Sequence, residues 1–302
     1  MKNISELKDA LKWRRLGKNE ELRIRMARAM GATDPYQWWM RGAVGDYQEG
    51  RITMFNQGLY EQSATAKHRL GTRRELDDGR IFRYAGFTAA DIAAGLLVSK
   101  AAAPVDATVA AADAALAVAG AREISITIAG ATANQYTDGF LAVKASTNIG
   151  AMYKVRGNGA TNGIATGRAS FSLYDKIHTT WVASGTTVAA WECPYKSLLI
   201  NPAVANEAAT TQELVMGMTT RAVTASYYAW IQTHGLANLV LDVAAAAGAE
   251  ANEMLVSPGG VTEGRGGITA DTALNGVQII GYTVEQADLT DAEGNLVFLL
   301  IE

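Results

Sequence analysis

Short runs that alternate apolar and polar residues, each cut off by glycine, asparagine or aspartate, recur from Ile81 to Ile301. A strand sends successive side chains to opposite faces. Runs this short, with turns this frequent, confine the chain to antiparallel sheets closed into a barrel or stacked as a sandwich. The most informative run is Tyr227-Tyr228-Ala229-Trp230-Ile231-Gln232-Thr233-His234-Gly235. Strict alternation puts Tyr228, Trp230, Gln232 and His234 on one face, and Tyr227, Ala229, Ile231 and Thr233 on the other. That pattern suits packing on one side and contact on the other. Trp230 is expected in the core, and Tyr227 and Tyr228 are candidates for a subunit contact. His234-Gly235 reads as the turn of a hairpin whose second strand covers 238–243.

The other runs follow the same grammar. Asp78-Gly79 between Arg69-Leu70-Gly71-Thr72-Arg73-Arg74-Glu75-Leu76 and Ile81-Phe82-Arg83-Tyr84-Ala85 is a hairpin signal. Ile124, Ile126 and Ile128 share a face, and Tyr136-Thr137-Asp138-Gly139 is a turn into a strand ending near Lys144. Further strands are expected at Met152–Arg156, Ser170–Tyr174, Val188–Trp191, Leu198–Ile200, Leu214–Met218, Met254–Ser257, Val277–Val284 and Asn295–Ile301. The glycine-rich stretch from Gly157 to Gly167 reads as turns. It lacks the Gly-Lys-Ser/Thr of a phosphate loop and the dinucleotide spacing. The alanine-rich stretch 88–120 reads as short helix or extended coil, because alanine favours helix while Pro104, Thr108 and the valines oppose it.

Residues 4–30 have helical spacing, with Leu7, Leu11, Leu22, Ile24, Met26 and Met30 recurring amid charges, and glycines at 17 and 31 as stops. Tyr36-Gln37-Trp38-Trp39-Met40 follows as an aromatic anchor, on its own domain or on a neighbouring subunit. The expected organisation is a helical arm over 1–50 and a β-rich body over 51–302, divided into 51–205 and 206–302. The fold class is mainly β: a barrel or sandwich of many short antiparallel strands with an N-terminal α-helical arm.

Charge is uneven. Residues 1–83 hold 17 Lys+Arg against 11 Asp+Glu, and the remainder 10 against 19. Arg14, Arg15, Arg23, Arg25 and Arg28 make the arm basic, but no aromatic residues interleave them as in single-strand binders. Nucleic acid is therefore the minority reading. Arg23 and Arg28 stand with Tyr36, Trp38 and Trp39 as interface candidates. The chain has one cysteine and three histidines, so it can form no internal disulfide, and the lone thiol fits a reducing compartment. Met1–Arg15 is charged and without an apolar stretch, so no secretory leader is expected. Asp91, Lys100, Pro104, Asp106 and Asp113 interrupt the most apolar region, so no membrane span is expected.

Chemistry is sparse. His68, His178 and His234 stand far apart, without a neighbouring metal-ligand pattern. Cys193 lies between Trp191 and Tyr195 and reads as a buried, inert thiol. Asp288, Asp291 and Glu293 lack calcium-loop spacing. No catalytic residue, metal ligand or cofactor site is expected, and a building block fits better than an enzyme.

The order of four segments resembles tailed-bacteriophage virion proteins of the capsid cement or decoration type. They are Gly71-Thr72 through Tyr84-Ala85; Ala131-Thr132-Ala133-Asn134-Gln135-Tyr136-Thr137-Asp138-Gly139-Phe140-Leu141; Pro194-Tyr195 to Pro202; and Tyr227 to Gly235. Together they spread over residues 70–302. The resemblance implies a non-enzymatic virion protein, synthesised in the host cytoplasm and bound to the exterior of an icosahedral head. Such a protein would bridge neighbouring major capsid proteins, usually as a homotrimer. The alternatives are a vertex, head-fibre-base or tail protein, a polysaccharide hydrolase, or a nucleic-acid binder.

Overall fold

The computed structural model describes residues 57–88, 90–100, 105–108, 117–145, 149–161, 167–181, 186–201, 214–242, 255–258, 262–269, 278–284 and 294–302. The arm over 1–50 lies outside them, with Tyr36, Trp38, Trp39, Arg23 and Arg28. So do Asp288, Asp291, Glu293 and the 205/206 division.

Regular structure among the described residues is all strand: β1 (Gln62–Ser63), β2 (Arg73–Glu75), β3 (Ile81–Gly86), β4 (Leu97–Lys100), β5 (Val105–Thr108), β6 (Glu123–Thr127), β7 (Phe140–Ala145), β8 (Met152–Asn158), β9 (Arg168–Leu173), β10 (Thr187–Trp191), β11 (Leu199–Ile200), β12 (Leu214–Thr219), β13 (Tyr228–Val240), β14 (Leu255–Pro258), β15 (Gly266–Thr269), β16 (Gly281–Thr283) and β17 (Gly294–Leu300). They form a closed barrel in the order β10-β5-β6-β9-β8-β7 and a sheet built along β11-β4-β12-β13-β17-β16-β14-β15, with β1, β2 and β3 attached beside β13. β4 and β11 pair antiparallel, Leu199 with Ser99 and Ile200 with Val98. The barrel is thus inserted between two neighbouring strands of the sheet.

Alternation fills the barrel. Ile124, Ile126, Leu141, Val155, Phe171 and Val188 point inward and are buried, while Arg168, Ser170, Lys144 and Arg156 face water. Closure removes both sheet edges and leaves the interior wide enough only for side chains. Gly139 is required where the turn after Tyr136 meets β10, because a Cβ there would strike the Trp191 carbonyl. Asp138, just before it, has φ 60°.

The larger sheet curls into a half-barrel around Leu97, Val215, Met218, Leu239, Val256 and Val297. The segment leading into β15 returns to β4 through the Leu97 N–H to the Gly264 carbonyl (2.7 Å), and Asp242, just past β13, donates its N–H to the Gly266 carbonyl (2.8 Å). β13 is its spine, bonded to β1, β3, β12 and β17. Trp230 is buried against Phe82 and Tyr84, as its position predicts. Gln57 caps this cluster: its carbonyl accepts from Trp230 Nε1 (3.3 Å), and its side-chain oxygen accepts from the Tyr84 hydroxyl (2.7 Å).

Five expectations need correction. His234-Gly235 is not a hairpin turn, since β13 runs straight through it. A bulge between Gln232 and His234 absorbs one extra residue, and Gly235 takes φ 85° where the Asp78-Gly79 hairpin crowds it. The bulge also breaks the alternation. Gln232 pairs with Met218, which shares a core with Ala237 and Leu239, so the even side before the bulge becomes the odd side after it. His234 therefore leaves the face of Trp230. Neither face of the Tyr227–Thr233 run is left open for contact, because Ala229 and Ile231 pack in a separate core with Ala85, Phe87 and Val98. Finally, β4 and β5 lie in the stretch expected as short helix or coil: they hold a single alanine, Ala107, between them, and pair with β12 and β10. Gly157 and Asn158 likewise continue β8 rather than turn.

Candidate functional site

The residue types that carry chemistry are placed separately. The His68 ring meets Tyr84 edge-on at 5.1 Å and lies 5.3 Å from Trp230. His178 Nδ1 is 2.6 Å from the Tyr153 hydroxyl on the barrel. His234 Nδ1 lies 3.0 Å from the Glu302 backbone carbonyl, which can only accept, so this nitrogen carries the proton. Cys193 is 2 % exposed, and burial pushes its thiol up to about 11, far from a nucleophile's range. Among the described residues no group of three or more His, Cys, Asp or Glu could hold a metal ion. No helix there is long and apolar enough to cross a membrane.

Two polar clusters were not visible in the sequence, because their members lie far apart along the chain. The first fastens the barrel to the half-barrel. Lys100, at the end of β4, is buried and donates to Glu192 Oε2 (2.9 Å) and to the Lys196 carbonyl (2.8 Å). Gln135, from the barrel turn, donates to the other Glu192 oxygen (2.9 Å), and Lys196 Nζ donates to the Gln135 carbonyl (2.8 Å). Burial alone would raise the Glu192 carboxyl. The hydrogen bonds from Lys100 and Gln135 and the charges of Lys100 and Lys196 outweigh it, so Glu192 titrates below the ordinary carboxylate range.

The second cluster gathers on Glu302. Arg83 grips its carboxylate at both oxygens, with Nε to Oε2 at 2.9 Å. Arg73 Nε donates to Oε1 (3.2 Å), and Thr233 Oγ1 donates to Oε2 (2.9 Å). Burial again raises the carboxyl and the Arg83 and Thr233 bonds more than offset it, leaving Glu302 low. The bulge makes this possible by turning Thr233 and His234 to the same, outer side of β13.

An apolar row continues from this cluster across the outer face. Leu236 pairs with Phe298, Phe298 with Tyr282, and Tyr282 with Leu255, so four strands each give one apolar side chain in direct register. The Tyr282 and Phe298 rings stack at 5.4 Å and 12°, and His234 meets Phe298 edge-on at 5.3 Å. Leu236, Tyr282 and the neighbouring Val284 and Leu300 are exposed, with Leu300 at 46 %. Nothing described covers the row. In Leu296-Val297-Phe298-Leu299-Leu300 both parities are apolar, a pattern shared by strands buried on both faces, so the sequence alone did not mark one face as exposed. The barrel has a smaller apolar point, Ile149 and Met152 beside the β7–β8 connection, 70 % and 63 % exposed.

Of the earlier interface candidates, Tyr227 and Tyr228 are half-buried. Tyr227 packs at the edge of the Ile231 core, and Tyr228 stacks on Tyr84 at 6.2 Å. Neither lies on the row.

The fold defines a mainly β protein with a curled half-barrel sheet. Compared with known proteins, the chain matches no family model, no curated protein and no solved structure.

Proposed function

We propose that the chain is a structural assembly protein. It binds the outside of an icosahedral phage head, bridges neighbouring major capsid proteins and acts as a cement. The observation that carries this reading is the uncovered apolar row on the half-barrel. Contiguous exposed apolar surface on a folded protein marks a protein contact. The Lys100–Glu192 junction supports it, because a bridge must hold its contact points in fixed relation. The apolar point on the barrel supplies a second contact on the same body, and two weak contacts made together bind far more tightly than either. The basic, aromatic segment with Arg23, Arg28, Tyr36, Trp38 and Trp39 is the candidate for reaching a neighbouring copy in a homotrimer. Binding only the assembled shell would stabilise it by linkage.

Sedimentation with empty heads that lack the protein tests this. Cosedimentation saturating at a number set by the capsid lattice is expected, with no binding to free capsid subunits. Saturation at a few copies per particle would move the chain to a vertex or the tail, and no cosedimentation would remove the reading.

A further inference from the structure

The Glu302 cluster and the apolar row form one continuous surface, and together they have the chemistry of a recognition site. Two guanidinium groups, from Arg73 on β2 and Arg83 on β3, converge on one carboxylate, with Thr233 as a further donor. Arginine's planar fork holds a carboxylate at both oxygens. Glu302 is joined to the row through His234, whose ring nitrogen bonds the Glu302 carbonyl and whose ring edge meets Phe298. No Asp, Glu, Lys or Arg stands among Leu236, Phe298, Tyr282 and Leu255. The surface is thus apolar along four strands with two arginines at one end, matched from within the chain by Glu302 and, at Arg73, by Glu75 (2.6 Å).

That filling is exchangeable. The side chains of Arg73, Arg83 and Glu302 are 40 %, 24 % and 24 % exposed. All three groups are therefore within reach of an incoming carboxylate from water. An incoming carboxylate that also covers the row gains apolar burial that Glu302 does not supply.

We propose that Arg73 and Arg83, with the row beside them, recognise an acidic residue flanked by apolar residues on a partner protein, the partner's carboxylate taking the place of Glu302. The choice of a protein partner rests on the assembly reading above; the carboxylate site itself does not. Charge complementarity selects the occupant: an uncharged row needs an apolar stretch, and the arginine pair needs an anion at its end. A basic or wholly apolar segment would leave Glu302 in place.

Two measurements on the full chain test it. In Glu302→Ala Arg83 loses its carboxylate, while Arg73 keeps its pair with Glu75 (2.6 Å), so acetate is expected to raise its Tm by roughly 2–4 °C more than chloride at equal ionic strength. The gain should vanish when Arg73→Gln and Arg83→Gln are added. Equal effects of acetate and chloride on Glu302→Ala would overturn the carboxylate site. Glu302→Gln keeps the shape and loses the charge, and serves if the alanine variant does not fold. On empty heads, Glu302→Gln is expected to bind about tenfold tighter than the parent, and Arg73→Gln/Arg83→Gln about tenfold weaker. Parent-like binding by both would overturn the partner's use of the site. If no form binds heads, the shell reading fails while the acetate result still decides the site.

Discussion

The closed barrel and the half-barrel solve the same burial problem and end with different surfaces. The barrel wraps its apolar parity inward on all six strands, and its outer parity is mostly serine, threonine, lysine and arginine. The half-barrel also has a filled core, yet β13, β16 and β17 carry apolar residues outward as well: Leu236, Tyr282, Phe298 and Leu300. A closed barrel needs no partner to finish it. The second sheet is finished on its inner face alone, and its outer face is what is available for contact. The two halves of this chain therefore differ in exterior: the inserted barrel leaves one small apolar point, Ile149 and Met152, and the half-barrel leaves a row across four strands.

The largest expected effects come from the two cores. Trp230→Ala in the half-barrel and Phe171→Ala in the barrel should each cost ~3–5 kcal/mol. Urea unfolding followed by far-ultraviolet circular dichroism checks both. Equal shifts of one transition would mean that the junction makes the units cooperative, whereas two separated transitions would mean that the barrel stands alone. Next comes the junction itself. Lys100→Ala leaves the Glu192 carboxylate part-buried without its cation and should cost about 3 kcal/mol. The same melts should then show the barrel and half-barrel transitions drawing apart.

Acid acts on both polar clusters in the same direction. Glu192 and Glu302 titrate below their ordinary 4.5 in the folded chain. Their contribution is present above that value and is lost as pH falls through the lower folded values, because the unfolded state takes up the protons first. Melting temperature should therefore drop as pH is lowered below about 4.5, and Glu192→Gln should flatten the slope. A slope unchanged in that variant would remove Glu192 from the account.

The smallest stability effects belong to the outer face. Leu236→Ser should change stability by less than ~1 kcal/mol, since the side chain is already half in water. His234→Ala should stay within about the same limit, losing one hydrogen bond and one ring edge. Leu236→Ser should nonetheless weaken head binding, whereas a serine at an exposed barrel position such as Lys144 should not. That contrast between a silent melt and a lost contact separates the two exteriors most sharply.

Much of the mainly β character was legible, because alternation and turn residues act locally. Asp78-Gly79 gave its hairpin, Ile124 and Ile126 their shared face, and Trp230 its burial. The hairpin at His234-Gly235 was misread because glycine with positive φ serves a bulge as well as a turn, and only pairing with β3 and β17 decides between them. β4 and β5 were hidden by their alanine-rich surroundings, although the strands themselves are Leu-Val-Ser-Lys and Val-Asp-Ala-Thr and pair with strands far along the chain. The insertion of the barrel was invisible for the same reason: Ser99 meets Leu199 through topology, not through any local pattern. The proposed contact surface depends on the bulge, which reverses the faces of β13, and on Arg73, Arg83 and Glu302 meeting across more than 200 residues.

Electron cryo-microscopy of intact particles carrying the chain tests the central claim most directly. The expected result is density for it on the outside of the head, repeated with the capsid lattice, with the Leu236–Phe298–Tyr282–Leu255 row against a neighbouring subunit. Density confined to a vertex or tail, or a row that faces solvent at every position, would contradict the account.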